Sequence, residues 1–246
     1  MKVKVFQKGF NFSQDGPGNR LVYHLQGCNM RCPWCSNPEG MSMEPLLNCG
    51  FKCEEYDVSE MLDETDRSSM MFFDGGGVTF TGGEATMQFD ALYYLLSELK
   101  KKGINTALET NGSHARLPEL FPLIDFLIMD IKHYDDNKHL EATGFSNKTI
   151  LKNAVAACLA REQVLFRIPL IGGFNSSEND AERFSELFNG FGENKDVEVL
   201  RYHEFGKDKW KKCGIPYKMR DAFISDDEYI AFCKILKNSG IRLIGT

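Results

Sequence analysis

Six short apolar runs, most of them followed by a stretch with helical periodicity, constrain this chain more than any other feature. The runs cover residues 21–26, 77–81, 105–109, 126–131, 164–168 and 197–202. Helical spacing covers 58–70, 89–102, 118–122, 148–160, 177–189 and 227–239. Such alternation implies a parallel α/β sheet, its right-handed crossovers carrying the helices. Six units are too few to close an eight-stranded barrel. Periodicity alone leaves a doubly wound sheet and an unclosed barrel both open, and in either one ligands gather at the C-terminal ends of the strands. Residues 1–7 alternate like a further strand, and 241–244 read as a last short one.

At 246 residues the chain has the length of one large domain, and no repeat, linker or low-complexity tract divides 1–246. A net charge of −6 gives no footprint for general nucleic-acid binding. No stretch approaches the length of a membrane span, and the N-terminus lacks the apolar core of a signal peptide. Lys207, Lys209, Lys211 and Lys212 read as a solvated surface, or as a contact for an acidic partner. Gly75-Gly76-Gly77 reads as a flexible entry to a strand, since it lacks the Lys-Ser/Thr of a phosphate loop. Eight cysteines in a chain this large point to the reducing cytoplasm rather than to disulfide staples. Cys158 and Cys233 suit an apolar core. Cys49 and Cys53 lie in the least regular region, 40–53, and are too few for a cluster of their own.

Cys28, Cys32 and Cys35 are different. Spaced by three residues and then two, they let one tight loop present three thiolates to a single inorganic centre. A structural zinc site takes four protein ligands, usually as two separated pairs, so zinc would need a ligand from elsewhere. On a four-iron, four-sulfur (4Fe-4S) cluster, three thiolates leave one iron open to an outside ligand.

Asp15-Gly16-Pro17-Gly18 stands before this loop; Thr81-Gly82-Gly83-Glu84, Glu109-Thr110-Asn111-Gly112, Met129-Asp130-Ile131-Lys132, Arg167-Ile168-Pro169 and Arg201-Tyr202-His203-Glu204 follow it. In this order the motifs resemble the glycyl-radical enzyme activating family of the radical S-adenosylmethionine (SAM) superfamily, from about Asp15 to Trp210 and without the ferredoxin-like insert of some relatives. The resemblance implies a partial (β/α)6 TIM-like barrel, open at one side. It implies an oxidoreductase that reductively cleaves SAM at the 4Fe-4S cluster held by Cys28, Cys32 and Cys35. The resulting 5′-deoxyadenosyl radical would take a hydrogen from a glycine of a partner enzyme. Flavodoxin or ferredoxin would supply the electron, and the activase would work as a cytoplasmic monomer.

By the same resemblance Gly82, Gly83 and Glu84 bind the SAM amino group, and Glu84 locks the loop or assists directly. Glu109, Thr110 and Asp130 flank a monovalent cation beside the SAM carboxylate. Lys132 and Arg167 neutralise that carboxylate, and Arg suits bidentate recognition of it. His203 lies near the adenosine and the target glycine, and Asp15 clamps the target loop through main-chain contacts. Two positions depart from the family's best-known member: Glu109 replaces aspartate, and Ser36 replaces a histidine beside the adenine, leaving Trp34 as a substitute stacking partner. Read without the resemblance, Gly-Gly-Glu is a turn, Glu109 and Asp130 are strand-end acids, and a lone histidine is a core residue. The alternative within the superfamily is an enzyme acting on a small molecule, of the 7-carboxy-7-deazaguanine synthase kind. Outside it stands an electron carrier with a fully capped cluster.

Overall fold

The computed structural model describes residues 1–245 apart from 13, 45, 47, 48 and 162. Strand β1 (Lys2–Asn11) runs antiparallel to β2 (Arg20–Leu25), and β3 (Glu54–Asp57) lies antiparallel on the other side of β1. Beyond β2 the sheet continues with β4 (Gly77–Gly82), β5 (Thr106–Thr110), β6 (Phe126–Asp130), β7 (Val164–Leu170) and β8 (Lys195–Arg201). From β2 to β8 every neighbouring pair is parallel. The order β3-β1-β2-β4-β5-β6-β7-β8 is linear, with β3 and β8 as its two edges. The architecture is therefore the expected unclosed barrel of six parallel strands, extended by two antiparallel ones.

Strand alternation divides the sheet into two unlike faces. Leu21, Tyr23 and Leu25, then Val78 and Phe80, Leu108, Met129, Phe166 and Ile168, and Val197 and Val199 belong to one apolar core. The alternate positions mix apolar residues with polar ones that bond to one another across strands: Arg20 to Thr79, Thr81 to Glu109, and Arg167 to both Glu109 and Glu198. Helices α1 (Val58–Ser68), α2 (Phe89–Lys101), α4 (Lys148–Ala160), α5 (Glu178–Asn189) and α7 (Asp226–Asn238) cover the apolar face, while α3 (Asp136–Thr143) and α6 (Lys207–Lys212) meet the loop after β2. In α2 the buried Leu92, Leu95, Leu96 and Leu99 follow helical spacing. Phe184 and Phe188 of α5 meet Phe166 of β7 and Phe232 of α7. Ser177 with Asp180 and Ser225 with Glu228 form capping boxes that start α5 and α7 where the sequence changes from loop to helix.

Several sequence expectations shift. The 118–122 helix is a 3-10 turn, Leu117–Leu123, because Pro122 inside it removes the amide that an α-helix would bond back to residue 118. The 241–244 strand is a single bridge from Leu243 to Val197. Strand β3 and helix α3 were not expected: Glu54-Glu55-Tyr56-Asp57 is too polar to read as a strand and forms one only as an edge. Gly76 and Gly77 are not a flexible entry. A methyl on either would lie 2.0 Å from the carbonyl oxygen of Asn19 or Asn105, so they are close-packed seams between strands. Lys209 is no solvated lysine either: it reaches Asn37 at 2.8 Å and Glu39 at 2.6 Å. Among the described residues no helix is long and apolar enough to cross a membrane. Within 40–53, residues 45, 47 and 48 lie outside the described set; Cys49 is buried and Cys53 half-buried.

Candidate active site

Cys28, Cys32 and Cys35 sit on the loop that leaves the C-terminal end of β2, and all three open onto one cavity of about 260 Å³. The loop is held from three sides. Gly27 and Cys28 donate their amides to the carbonyls of Gly40 and Met41 at 2.8 and 3.0 Å, and the Arg31 amide donates to Thr143 at the end of α3 at 2.8 Å. From α6 the Trp210 indole donates to the Cys35 carbonyl at 2.8 Å. Backbone amides also point at sulfur, Met30 to Cys28 at 3.4 Å and Asn37 to Cys35 at 3.3 Å, with the Asn111 amide side chain 4.0 Å from Cys28. Burial raises the Cys28 thiol and pushes those of Cys32 and Cys35 up to about 12.

Gly82 ends β4, and Gly83 and Glu84 after it lie against this loop. The Gly83 amide donates to Leu25 at 3.0 Å and the Glu84 amide to Gly27 at 2.7 Å. Glu84 is buried, and its carboxylate accepts from the Thr86 amide at 3.1 Å, the Thr110 hydroxyl at 2.6 Å and the Asn111 amide at 2.6 Å. It thereby staples the end of β4 to the end of β5, which is a locking role. A Glu84→Gln variant turns one acceptor into a donor facing donors. It should lose about 1–3 kcal/mol of stability in thermal or denaturant unfolding of the cluster-free protein.

An acidic wall faces the cysteines. Glu109 ends one oxygen on Arg167 and accepts the Thr81 hydroxyl on the other at 2.6 Å. Arg167 is buried in β7 with its Nε on Glu198 at 2.5 Å and its second Nη on the Gln14 carbonyl. Asp130 pairs with Lys132 at 2.6 Å. Burial and the nearby Asp130 raise the Glu109 carboxyl while Arg167 opposes them. Lys132 is held protonated by Asp130 and the cysteines against the cost of burial.

Cys28, Cys32, Cys35, Trp34, Gly82, Gly83, Glu84, Glu109, Thr110, Asp130, Lys132 and His203 all line the one cavity, as expected from strands ending on one rim. Trp34 packs on Phe174 at 4.9 Å, and His203 on the exposed Phe205 at 4.2 Å, with burial lowering its pKa. Two expected residues are elsewhere. Arg167 does not line the cavity; it stands behind Glu109, committed to two carboxylates. Asp15 does not line the cavity either: it lies in the β1–β2 connection, which folds into the barrel, where it is buried, its carboxylate meets Asn11, its carbonyl accepts from Thr79 at 2.7 Å, and the neighbouring Gln14 carbonyl accepts from Arg167. Sequence reasoning missed two residues. Asn111 lay inside a quoted motif but was given no role, and Trp210 carried no local signal because its partner is 175 residues away.

The residues fit a 4Fe-4S cluster. Three buried thiols share a cavity and become thiolates only against a positive metal centre, and amides already aimed at two sulfurs favour that charged form.

Comparison with known proteins agrees. The family model described as the radical SAM superfamily matches residues 22–184. The chain is 35% identical over 227 residues to a pyruvate formate-lyase-activating enzyme of Staphylococcus aureus, covering 88% of this chain and 87% of that protein. A crystal structure of a domain of pyruvate-formate lyase-activating enzyme from Bacteroides vulgatus superposes with TM-score 0.59 at 26% identity, over 70% of this chain and 99% of that one. A radical SAM methyltransferase from Sphaerobacter thermophilus, 16% identical, shares the fold with TM-score 0.67 over 96% of this chain and 68% of its own.

Proposed function

The chain belongs to the glycyl-radical enzyme activating family of the radical SAM superfamily, and from that premise we propose that it cleaves SAM to place a radical on a glycine of a partner enzyme. The observation that carries this reading is the meeting, in one cavity, of the three-thiol loop, the Gly82-Gly83-Glu84 turn and the Glu109/Asp130 wall. When bound, the cluster supplies the electron that splits SAM into methionine and a 5′-deoxyadenosyl radical. The protein's own work is positional. Cys28, Cys32 and Cys35 hold the cluster. Gly82 and Gly83 expose backbone to the SAM amino group because neither carries a Cβ. Lys132, buried and cationic, meets the carboxylate, and Trp34 and His203 wall the adenosine.

A macromolecular substrate suits the loop that carries Asp15, because that loop joins the protein surface to the cavity wall. Its Phe12 stacks on Phe73 at 5.2 Å, 61% and 44% exposed, while Gln14 bonds to Arg167 behind Glu109. An exposed apolar pair on that loop suits a protein rather than a small polar molecule. The relatives' name makes pyruvate formate-lyase the first partner to try. We read residues 1–246 as one domain, working as a cytoplasmic monomer with flavodoxin or ferredoxin as electron donor.

Anaerobic incubation of cluster-loaded protein with reductant, SAM and the partner should give a glycyl-radical doublet in electron paramagnetic resonance. Cleavage of SAM with no radical on any glycyl-radical enzyme would reject the activase role and favour a small substrate. Asp15→Ala should lower partner activation by about 100-fold, since a mispositioned target glycine loses its geometry. SAM turnover without partner should fall far less, because Asp15 does not line the cavity. Equal loss of both would remove the target-clamp role.

A further inference from the structure

The monovalent cation implied beside Glu109 and Asp130 does not fit the site. Glu109 is one methylene longer than aspartate, and its carboxylate ends on the guanidinium of Arg167 and the hydroxyl of Thr81, the latter at 2.6 Å. Arg167 cannot easily swing away, because Glu198 holds its Nε at 2.5 Å and the Gln14 carbonyl takes its second Nη. Asp130 faces Lys132 at 2.6 Å, a lysine whose side chain is only 10% exposed. Each acid of the wall thus already has a tethered cation. A free alkali ion would have to displace a buried ion pair, or share a carboxylate with it at the cost of like-charge repulsion.

We propose that Arg167 and Lys132 fill the place of that ion, so that SAM binding and cleavage in this protein need no monovalent metal. Arg167 then acts as a positioning residue, fixing Glu109 from behind, while Lys132 fixes Asp130 from within the cavity. The Gln14 carbonyl on Arg167 also ties this wall to the loop that carries Asp15. The proposal rests on the SAM-dependent reading of the cavity.

The test is SAM binding by equilibrium dialysis to the cluster-loaded protein, with tetramethylammonium as the only monovalent cation or with potassium or sodium at equal ionic strength. Reductive SAM cleavage is followed in the same salts. Affinity and turnover of the parent protein should agree within about twofold among the salts, as expected when a ligand has no coupling to SAM. Glu109→Asp withdraws the carboxylate from Arg167 and reopens room between the acids. Its SAM affinity should fall about tenfold in tetramethylammonium and recover in potassium or sodium. Arg167→Gln, measured the same way, should show the same salt response and stands in if Glu109→Asp fails to fold. Potassium or sodium tightening SAM binding to the parent by more than about fivefold would overturn the proposal, as would a folded variant indifferent to the salt. SAM bound equally in all salts but cleaved in none would leave the charge-balancing role intact and reject the functional reading instead. No SAM binding in any salt would reject both.

Discussion

Cys32→Ser is expected to yield protein that folds but holds no complete 4Fe-4S cluster and cleaves no SAM above background. Cys32 is 7% exposed in the core of the cavity wall, so no water or outside thiol easily takes its place. A serine hydroxyl is a harder and far less acidic donor than a thiol, and in this buried position it stays protonated. The site would then offer two thiolates where the loop is shaped for three. Iron and sulfide content after anaerobic reconstitution, with the visible charge-transfer absorption, reads the outcome. Cys158→Ala is the matched control: Cys158 is equally buried but lies in α4 in the apolar core, away from the cavity. It should cost about 1 kcal/mol of stability and leave the cluster intact. A full cluster in Cys32→Ser, or a lost one in Cys158→Ala, would remove the three-thiol assignment.

The second large effect is expected at Gly83, which is not a ligand by side chain at all. A methyl there would lie 2.3 Å from the Gly27 carbonyl oxygen and 2.4 Å from that of Gly40. Both are backbone atoms, so neither can rotate aside. Those carbonyls belong to the bonds that seat the cysteine loop, Glu84 to Gly27 at 2.7 Å and Gly27 to Gly40 at 2.8 Å. Gly83→Ala must therefore push the turn after β4 away from the loop after β2. The expected cost is about 1–3 kcal/mol of stability, as for overpacking a tight interior. SAM cleavage should fall about 100-fold or more, because a shift near 1 Å spoils the alignment of reacting groups. Gly9 in β1 has nothing within 4 Å of its would-be methyl, so Gly9→Ala should change stability by less than about 0.5 kcal/mol. Denaturant unfolding and SAM turnover of the two variants settle the comparison, and near-wild-type turnover in Gly83→Ala would show that the close approach is not functional.

Particular residues show how far the chain could be read before folding. The six parallel strands were legible because each buries its apolar side chains on one face and is long enough for a period-2 signal. Strand β3 was not, since its partner β1 supplies the burial that Glu54-Glu55-Tyr56-Asp57 lacks. That Cys28, Cys32 and Cys35 meet in one cavity was legible because closely spaced residues of one loop stay together in space, and spacing is a property of sequence. The place of Arg167 was not. An arginine two residues before a proline looks free to meet a carboxylate ligand. Only the folded sheet, which sets β8 beside β7 and brings β5 within reach across β6, commits it to Glu109 and Glu198.

By itself, then, the amino-acid order determined the parallel α/β sheet, the three-thiol loop and the rim on which the motifs meet, because those follow from local periodicity and short-range spacing, while only the resemblance of the motifs chose an unclosed barrel over a doubly wound sheet. Tertiary structure alone decided which charges neutralise each other inside the barrel, that the Glu84 carboxylate bonds to Thr110 and Asn111 at the end of β5, and that Asp15 is buried beside Thr79 off the cavity wall. The reason is physical: ion pairing and backbone close approach depend on distances between strands remote in sequence, and those distances exist only once the sheet has curved and its polar face has turned inward.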